Sequence, residues 1–460
     1  MKLKNILFIN PPNSPFTSKG ILIEPIDLLG LASWADQLGH TCTILDMDVH
    51  EVLAENLDKY VENISEISAV VIVFDYHIPL HDAGANAQIK AICDWARNHH
   101  IVSILGGKAA TFWNEEQLTR FGADIYIAHE MEQALEEILN SSDLAHIKGI
   151  KYHLDKKLIS NLSRHEKNKI DLNSLPISNR NLIDLNPYID VRTILSSRGC
   201  NLQCTFCHVP GFWGWWRGRS YNLVADEIQI LVNEFKAKKI LFLDDNAIVN
   251  TKRMEMISKE IIDRNIKVAM GCLGTIDKYN RHTMESMYQA GFRWIHYGAE
   301  SGDDKQLAAM GKKINAQKIK QTVQETQSIG FRVRTSWIMD MPELTYEGLM
   351  KTENLILESS SEEIRLHFLT LRLGSILQRE TIHTETAQFI HNSKQNLNIS
   401  GLDSQLIEQS TQRILTALIA KGYTVVKNAD DFKNIHELEK NNPQLKIVSL
   451  CPLRYGLGWS

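Results

Sequence analysis

The sequence predicts an α/β protein built on two successive parallel sheets, and three observations lead there. Short apolar segments alternate with amphipathic helical stripes up to about residue 140, and the alternation restarts near residue 191, as expected of βα units. Within each run the helices follow their strands without long gaps, which suits parallel pairing. Between the runs, residues 171–190 are rich in Asn, Ser and Pro and carry no helical stripe, so they read as an ordered crossover.

In chain order, the first run predicts strands over Ile6–Asn10, Thr41–Asp46, Ala69–Asp75, Ile101–Leu105 and Asp124–Ala128. Helical stripes such as Pro25–Leu38, Ala85–Arg97 and Glu132–Asn140 separate them. Five strands so spaced imply a Rossmann-like, doubly wound parallel sheet over 1–140, with any ligand at the carboxyl ends of the strands. The loops there carry Asn10-Pro11-Pro12, Asp75-Tyr76-His77, Gly106-Gly107 and His129-Glu130-Met131-Glu132. Two successive glycines allow a backbone to approach a flat ligand closely. Residues 141–190 form the linker, with a small hairpin predicted from Ile147–His153 and Lys157–Ile159.

The second run, 191–385, predicts strands over Thr193–Ser197, Lys239–Leu243, Lys267–Cys272, Arg293–Tyr297, Phe331–Met339 and Glu363–Leu369. Helices over Leu223–Lys236, Lys252–Arg264, Tyr279–Ala290, Ala316–Ser328 and Glu347–Ser359 fill the gaps. Residues 386–460 predict a small α+β segment: helices at Ser404–Lys421 and Asp430–Lys440, and strands at Tyr423–Val426 and Lys446–Leu450. A Gly- and aromatic-rich tail follows, suited to covering a substrate pocket.

Composition excludes several classes. Hydrophobic residues at 43% and charged residues at 23% suit a soluble globular protein. A net charge of −5 with a pI near 6.4 gives no electrostatic case for nucleic acid or an anionic membrane. No apolar run is long enough to span a bilayer, and the one near the N-terminus is too short for a signal peptide. Seven cysteines, three of them clustered, suit a reducing cytoplasm better than a disulfide framework. Buried thiols are expected at Cys42, Cys93, Cys272 and Cys451.

The chemistry concentrates in Ile194–Arg219, ILSSRGCNLQCTFCHVPGFWGWWRGR. After a short strand and Gly199, it spaces Cys200, Cys204 and Cys207 as CxxxCxxC. Three thiolates on one loop can hold three irons of a cubane and leave the fourth open to a small molecule. Haem attachment through Cys204-Thr-Phe-Cys207-His208 would leave Cys200 unused and need export. Structural zinc would force adjacent Cys207 and His208 onto one ion, whereas such sites bring two separated ligand pairs. The cluster uses all three cysteines.

This spacing, with Phe206 before the last cysteine, resembles the radical S-adenosylmethionine (radical SAM) superfamily. In that family SAM chelates the open iron, and the reduced [4Fe-4S] cluster cleaves it to a 5′-deoxyadenosyl radical. The resemblance implies a partial (β/α)6 barrel with its chemistry at the carboxyl ends of the strands. Gly298-Ala299-Glu300-Ser301-Gly302 ends the fourth barrel strand and matches G-x-E-S-G, where Glu300 and Ser301 are expected to contact SAM. Asp244, Asp245 and Asn246 end the second strand, placed for SAM or substrate, although Asp is also a favoured helix cap. Of G-x-P-G-x-T, only Pro342 and Thr345 persist, and Leu373-Gly374-Ser375 is a remnant of a PGT element.

The N-terminal half resembles the cobalamin-binding domain that precedes many such barrels. The likeness rests on the opening Asn10-Pro11-Pro12, on Gly106-Gly107, and on Glu130 and Glu132 where GEGE is common, with His129 and Met131 replacing the glycines. The axial-histidine motif DxHxxG is missing after the first strand; Asp48-Val-His50 and Asp75-Tyr-His77 keep only its DxH part. Cobalamin without a histidine ligand from that motif is therefore implied. The loop Trp213-Gly214 with Arg217-Gly218-Arg219-Ser220 also matches this class, and its indoles could wall the cluster from water while an arginine meets a carboxylate or phosphate.

The function implied is a cytoplasmic, cobalamin-dependent radical SAM methyltransferase acting on an unactivated carbon or phosphorus centre of a small molecule. Electrons would come from a donor such as flavodoxin or ferredoxin. Other readings are a non-methylating radical reaction (ring contraction, cyclisation or aminocarboxypropyl transfer), a methylthiotransferase-like enzyme, or a non-catalytic iron–sulfur or cobalamin sensor.

Overall fold

A computed structural model describes residues 3–12, 22–74, 83–141, 143–155, 157–163, 169–369, 371–381, 401–427, 431, 438, 442 and 444–450. The loop Asp75-Tyr76-His77, the tail from Cys451, and most of the helix expected at Asp430–Lys440 lie outside those residues.

The first sheet contains β1 (Asn5–Asn10), β2 (Thr41–Asp46), β3 (Ala69–Val73), β4 (Val102–Gly106) and β5 (Ile125–Ile127), all parallel, in the order β2-β1-β3-β4-β5. The strands β1, β3, β4 and β5 are buried on both faces, so alternate residues of one strand enter opposite cores. Leu7 and Ile9 pack with Val70 and Leu105, while Ile6 and Phe8 pack with Val71 and Ile104. The connector's hairpin, β6 (Ile150–Leu154) and β7 (Lys157–Ser160), adds antiparallel to β5 and extends this sheet.

The second sheet starts at β8 (Arg192–Ile194). The two-residue strands β9 (Ser197–Arg198) and β10 (Arg217–Gly218) pair with each other and clamp the base of the cysteine loop. Then come β11 (Lys239–Phe242), β12 (Ala269–Gly274), β13 (Phe292–Glu300), β14 (Arg332–Ile338) and β15 (Glu363–His367), each parallel to its neighbour. Asn250, Asn280, Asn315 and Thr345 cap the helices that return the chain, each accepting a backbone N–H. Outward residues such as Cys272, Ile295, Val333 and Leu366 join the helices in one large core.

The C-terminal segment does not stand apart from the barrel. Its strands β16 (Tyr423–Val426) and β17 (Lys446–Ser449) continue the sheet in parallel beyond β15, in the order β16-β17-β15. Pairing there covers an edge that β15 would otherwise leave unpaired. The helix Ser404–Ala420 is fixed by Ser410 and Arg413, which both donate to buried Glu353. No helix among the described residues is long and apolar enough to cross a membrane.

Candidate functional site

The cysteine loop leaves β9 through Gly199, whose φ of +85° and contact with the Trp215 carbonyl leave no room for a side chain. Thr205 holds the loop at both ends of its peptide: its N–H donates to Met310 O (3.0 Å) and its carbonyl accepts from Leu377 N–H (2.8 Å). Cys200, Cys204 and Cys207 are all half-buried. Burial pushes Cys204 up to about 11 and Cys207 up to about 12, and raises Cys200. These are therefore neutral thiols until a cation draws the thiolate form.

Among the described residues no three His, Cys, Asp or Glu side chains converge as ligands of a single ion. A cubane bonds each thiolate to a different iron, so its ligands stand wider apart than those of one ion. Three soft donors on one pinned loop fit that group. Beside them, Asn246 directs its amide N–H at Cys200 Sγ (3.6 Å), leaving its Oδ1 buried without a partner.

The two acids after β11 have separate roles. Asp244 is fully buried and accepts from Ser196 N (2.7 Å), Ser196 Oγ (2.6 Å) and Ser197 Oγ (2.5 Å), so it fixes the strand that feeds the cysteines. Asp245 accepts from Gly199 N (3.0 Å). Its carboxyl is pushed up to about 6 by burial first, with Asp244 and Asp27 adding to the rise and Lys108 and the Gly199 N–H opposing it.

A carboxyl raised above its unfolded value favours folding when protonated, and that contribution is lost as pH rises toward 6. Asp245→Asn is therefore expected to stabilise the metal-free protein by about 2 kcal/mol at about pH 8, allowing for partial exposure. The gain should vanish toward about pH 4, as read by urea unfolding at both pH values. An equal gain at both would remove ionisation as the cause.

Glu300 ends β13 at a register shift, with φ +67°, and is buried. Lys312 donates to its Oε1 (3.1 Å) and to Gly298 O (2.5 Å). Any Cβ at Gly298 would run into Glu300 Oε1, so the first glycine of the pentapeptide makes space for the glutamate. Ser301 is fully buried: its Oγ donates to Gln306 Oε1 (2.8 Å) and shares a hydrogen bond with Thr352 Oγ1 (3.1 Å). Its hydroxyl thus shapes the turn that presents Glu300. Further on, Glu343 takes a glycine-like φ of +62°, so the turn before Thr345 keeps its shape without the glycine.

The first sheet meets this mouth with its carboxyl ends. Asn10 donates to Asp46 Oδ1 (2.9 Å), Asp46 accepts from the connector's Tyr188 hydroxyl (2.8 Å), and Pro11 is buried. Gly106 has no room for a side chain because Met131 packs against it, and Gly107 turns with φ +95°. Glu130 pairs with Arg217, and Glu132 accepts from Arg198 (2.5 Å). Those two arginines belong to β9 and β10, which clamp the cysteine loop. The tryptophan loop fills the junction: Phe212 and Trp213 are buried, and Arg198 lies over the Trp213 ring at 4.9 Å, while Trp215 is exposed.

Three side chains that sequence reasoning did not single out matter here. Arg198 joins the cysteine loop to the first sheet, Lys312 holds Glu300, and Arg365 faces the barrel interior from β15. For Arg365 a signal was available, because β14 and β15 alternate charged and apolar residues where a sheet covered on both faces should be uniformly apolar.

Residues 194–356 match the Radical SAM superfamily, so this stretch is a radical SAM domain and the chain is a radical SAM enzyme. A [4Fe-4S] cluster and SAM are accordingly its cofactors. Its two-domain fold is shared with solved cobalamin-dependent radical SAM enzymes. Two structures of TsrM, a radical SAM methyltransferase from Kitasatospora setae, match with TM-scores of 0.72 and 0.71 at 15% and 16% identity. Each covers 82% of this chain, and 75% and 74% of TsrM is covered in turn. One holds tryptophan and a SAM analogue, the other cobalamin and a [4Fe-4S] cluster. An uncharacterized methyltransferase of Pyrococcus horikoshii is 26% identical over 368 residues, 76% of this chain and 77% of its own length. An anaerobic magnesium-protoporphyrin IX monomethyl ester cyclase of Synechocystis sp. is 22% identical over 385 residues, 79% and 74% of the two chains.

Proposed function

We propose that this enzyme is a cobalamin-dependent methyltransferase acting on an unactivated carbon or phosphorus centre of a small molecule. The observation that carries the reading is the join between the two sheets. Glu130 and Glu132, at the carboxyl end of the first sheet, bind Arg217 and Arg198 at the foot of the cysteine loop. A group bound on the first sheet would therefore sit over the barrel mouth. TsrM, whose fold is shared, holds cobalamin together with its cluster, and the Pyrococcus relative carries a methyltransferase name.

When bound, the reduced cluster supplies the electron that cleaves SAM, and cobalamin supplies the carrier for a methyl group. Cys200, Cys204 and Cys207 hold three irons; Glu300, fixed by Lys312, contacts SAM; Asp244 and Ser301 position those residues. On the first sheet, Asn10, Pro11, Gly106 and Gly107 form a backbone cradle, in which Gly107 supplies a turn open to L residues only with strain. Flavodoxin or ferredoxin is the proposed reductant and the cytoplasm the proposed compartment. The cyclase relative favours a second reading, a radical cyclisation without methyl transfer.

Anaerobic reconstitution with iron, sulfide and hydroxocobalamin, followed by desalting, tests for the cobalamin that methyl transfer requires. The expected result is about four irons and about one cobalt per chain. Four irons without cobalt would overturn methyl transfer and leave the radical chemistry standing.

A further inference from the structure

The three polar residues after β11 do different work. Asp244 holds Ser196 and Ser197, and Asp245 holds the Gly199 N–H, so both acids fix the chain that leads into the cysteines. Asn246 fixes no backbone. It caps no helix either, because Asn250 caps the helix that follows. Among the described residues its side chain makes one hydrogen bond, from Nδ2 to Cys200 Sγ at 3.6 Å, and its Oδ1 is buried without a partner. Asn246 is only 3% exposed. A buried polar atom left unpaired costs about 1–3 kcal/mol, whereas an apolar side chain of the same shape costs little. Packing therefore does not account for an amide here, and the group it donates to does.

The donation singles out one ligand. Backbone N–H groups of Leu202 and Val209 face Cys200 and Cys207. Among the described residues, Cys200 alone of the three also accepts from a side chain. A hydrogen bond strengthens as its acceptor gains negative charge. A donor on a cluster thiolate thus favours the reduced cluster over the oxidised one and raises its potential. Burial adds to the effect, since water does not compete for the sulfur and the local dielectric is low.

We infer that Asn246 is a positioning residue for electron entry: its N–H on the Cys200 sulfur raises the reduction potential of the [4Fe-4S] cluster, so that a weaker reductant suffices to fill it. This rests on the cluster held by Cys200, Cys204 and Cys207 and is independent of methyl transfer.

Electron paramagnetic resonance of the reconstituted protein, poised at a series of potentials without SAM, tests this. At the potential that half-reduces the wild-type cluster, the ratio of reduced to oxidised cluster in Asn246→Leu is expected to be about tenfold lower. That corresponds to a midpoint about 59 mV more negative for a one-electron couple. Iron content and SAM affinity should be unchanged. SAM cleavage driven by dithionite should fall in step and be restored by titanium(III) citrate, a stronger reductant, which damage to the fold would not allow. Asn246→Ala, expected to shift the midpoint in the same direction, carries the test if Asn246→Leu does not fold. An unchanged potential in the variants, or cleavage that the stronger reductant does not restore, overturns the proposal. So does a loss of SAM affinity, which would give the amide to SAM, or a loss of iron from both variants, which would make Asn246 part of cluster assembly. A protein that takes up no cobalt yet shows the shift fails the methyl-transfer reading and keeps this one.

Discussion

Cys204→Ala is expected to reduce iron to less than about a tenth of the wild-type content and to bring 5′-deoxyadenosine formation below detection, a loss of about a thousandfold or more. Two thiolates cannot hold a cubane that presents an open iron to SAM, and neighbouring Thr205 and His208 offer no thiolate in exchange. The effect should be confined to the cluster. Cys204 is a small, half-buried thiol, so its removal should change the stability of the metal-free protein by only about 1 kcal/mol. Iron and sulfide analysis, the spectrum of the reduced protein and urea unfolding of the apoprotein together check this. Cys272→Ala is the control: that thiol is fully buried in the core against the barrel helices and is expected to leave iron content intact. Full iron and SAM cleavage in Cys204→Ala would remove the cluster from this loop altogether.

What the sequence made legible was local. Cysteine spacing, the pentapeptide ending at Gly302, and the alternation of strands and helices are each read within a few residues, and the structure uses them in place. Two losses from family motifs look serious in the sequence and prove mild in the fold. His129 and Glu343 stand where glycines are usual, yet both adopt positive φ, at +61° and +62°. The surrounding contacts hold them there: His129 N–H donates to Thr111 Oγ1 (2.7 Å), and the next turn after Glu343 is capped by Thr345. Such support comes from residues distant in the chain or from a cap whose role is invisible until the helix is formed.

Pairings between residues far apart in the chain were not legible. Asp244 reads as a helix cap or a ligand, and its actual partners, Ser196 and Ser197, lie 48 and 47 positions earlier. Glu130 and Glu132 read as part of a cobalamin motif, and their arginines lie in the cysteine loop's clamp, 87 and 66 residues away. A carboxylate states that it needs a donor, but the sequence does not say which one. The C-terminal strands fall in the same group, since nothing in Lys446–Ser449 announces that β15 will be its neighbour.

The deepest of these long-range pairings sets the last expectation. Arg180, in the connector, has no exposed side-chain surface. It donates to Glu24 Oε2 (3.1 Å), to Glu227 Oε1 (3.4 Å) and to the carbonyls of Ser178 (3.0 Å) and Thr193 (2.5 Å). Glu24 also accepts from Thr193 Oγ1 (2.8 Å), and Glu227 from Arg219 (2.6 Å). One guanidinium thereby joins the segment before the first helix, the connector and the first barrel strand. Arg180→Met strands Glu24 as a buried charge and is expected to cost about 3–5 kcal/mol in urea unfolding. Adding Glu24→Gln should recover part of that, because the stranded charge rather than the lost attraction dominates the cost. Among the described residues no hydrogen bond or ion pair joins Arg180 to the cysteine loop, so iron content and SAM cleavage should survive below the unfolding range. The methyl transfer proposed above, which would need both sheets held in register, should fall about tenfold or more. Equal losses of cleavage and transfer would mean that Arg180 supports the barrel alone, and the two domains would then owe their alignment to Glu130, Glu132 and their arginines.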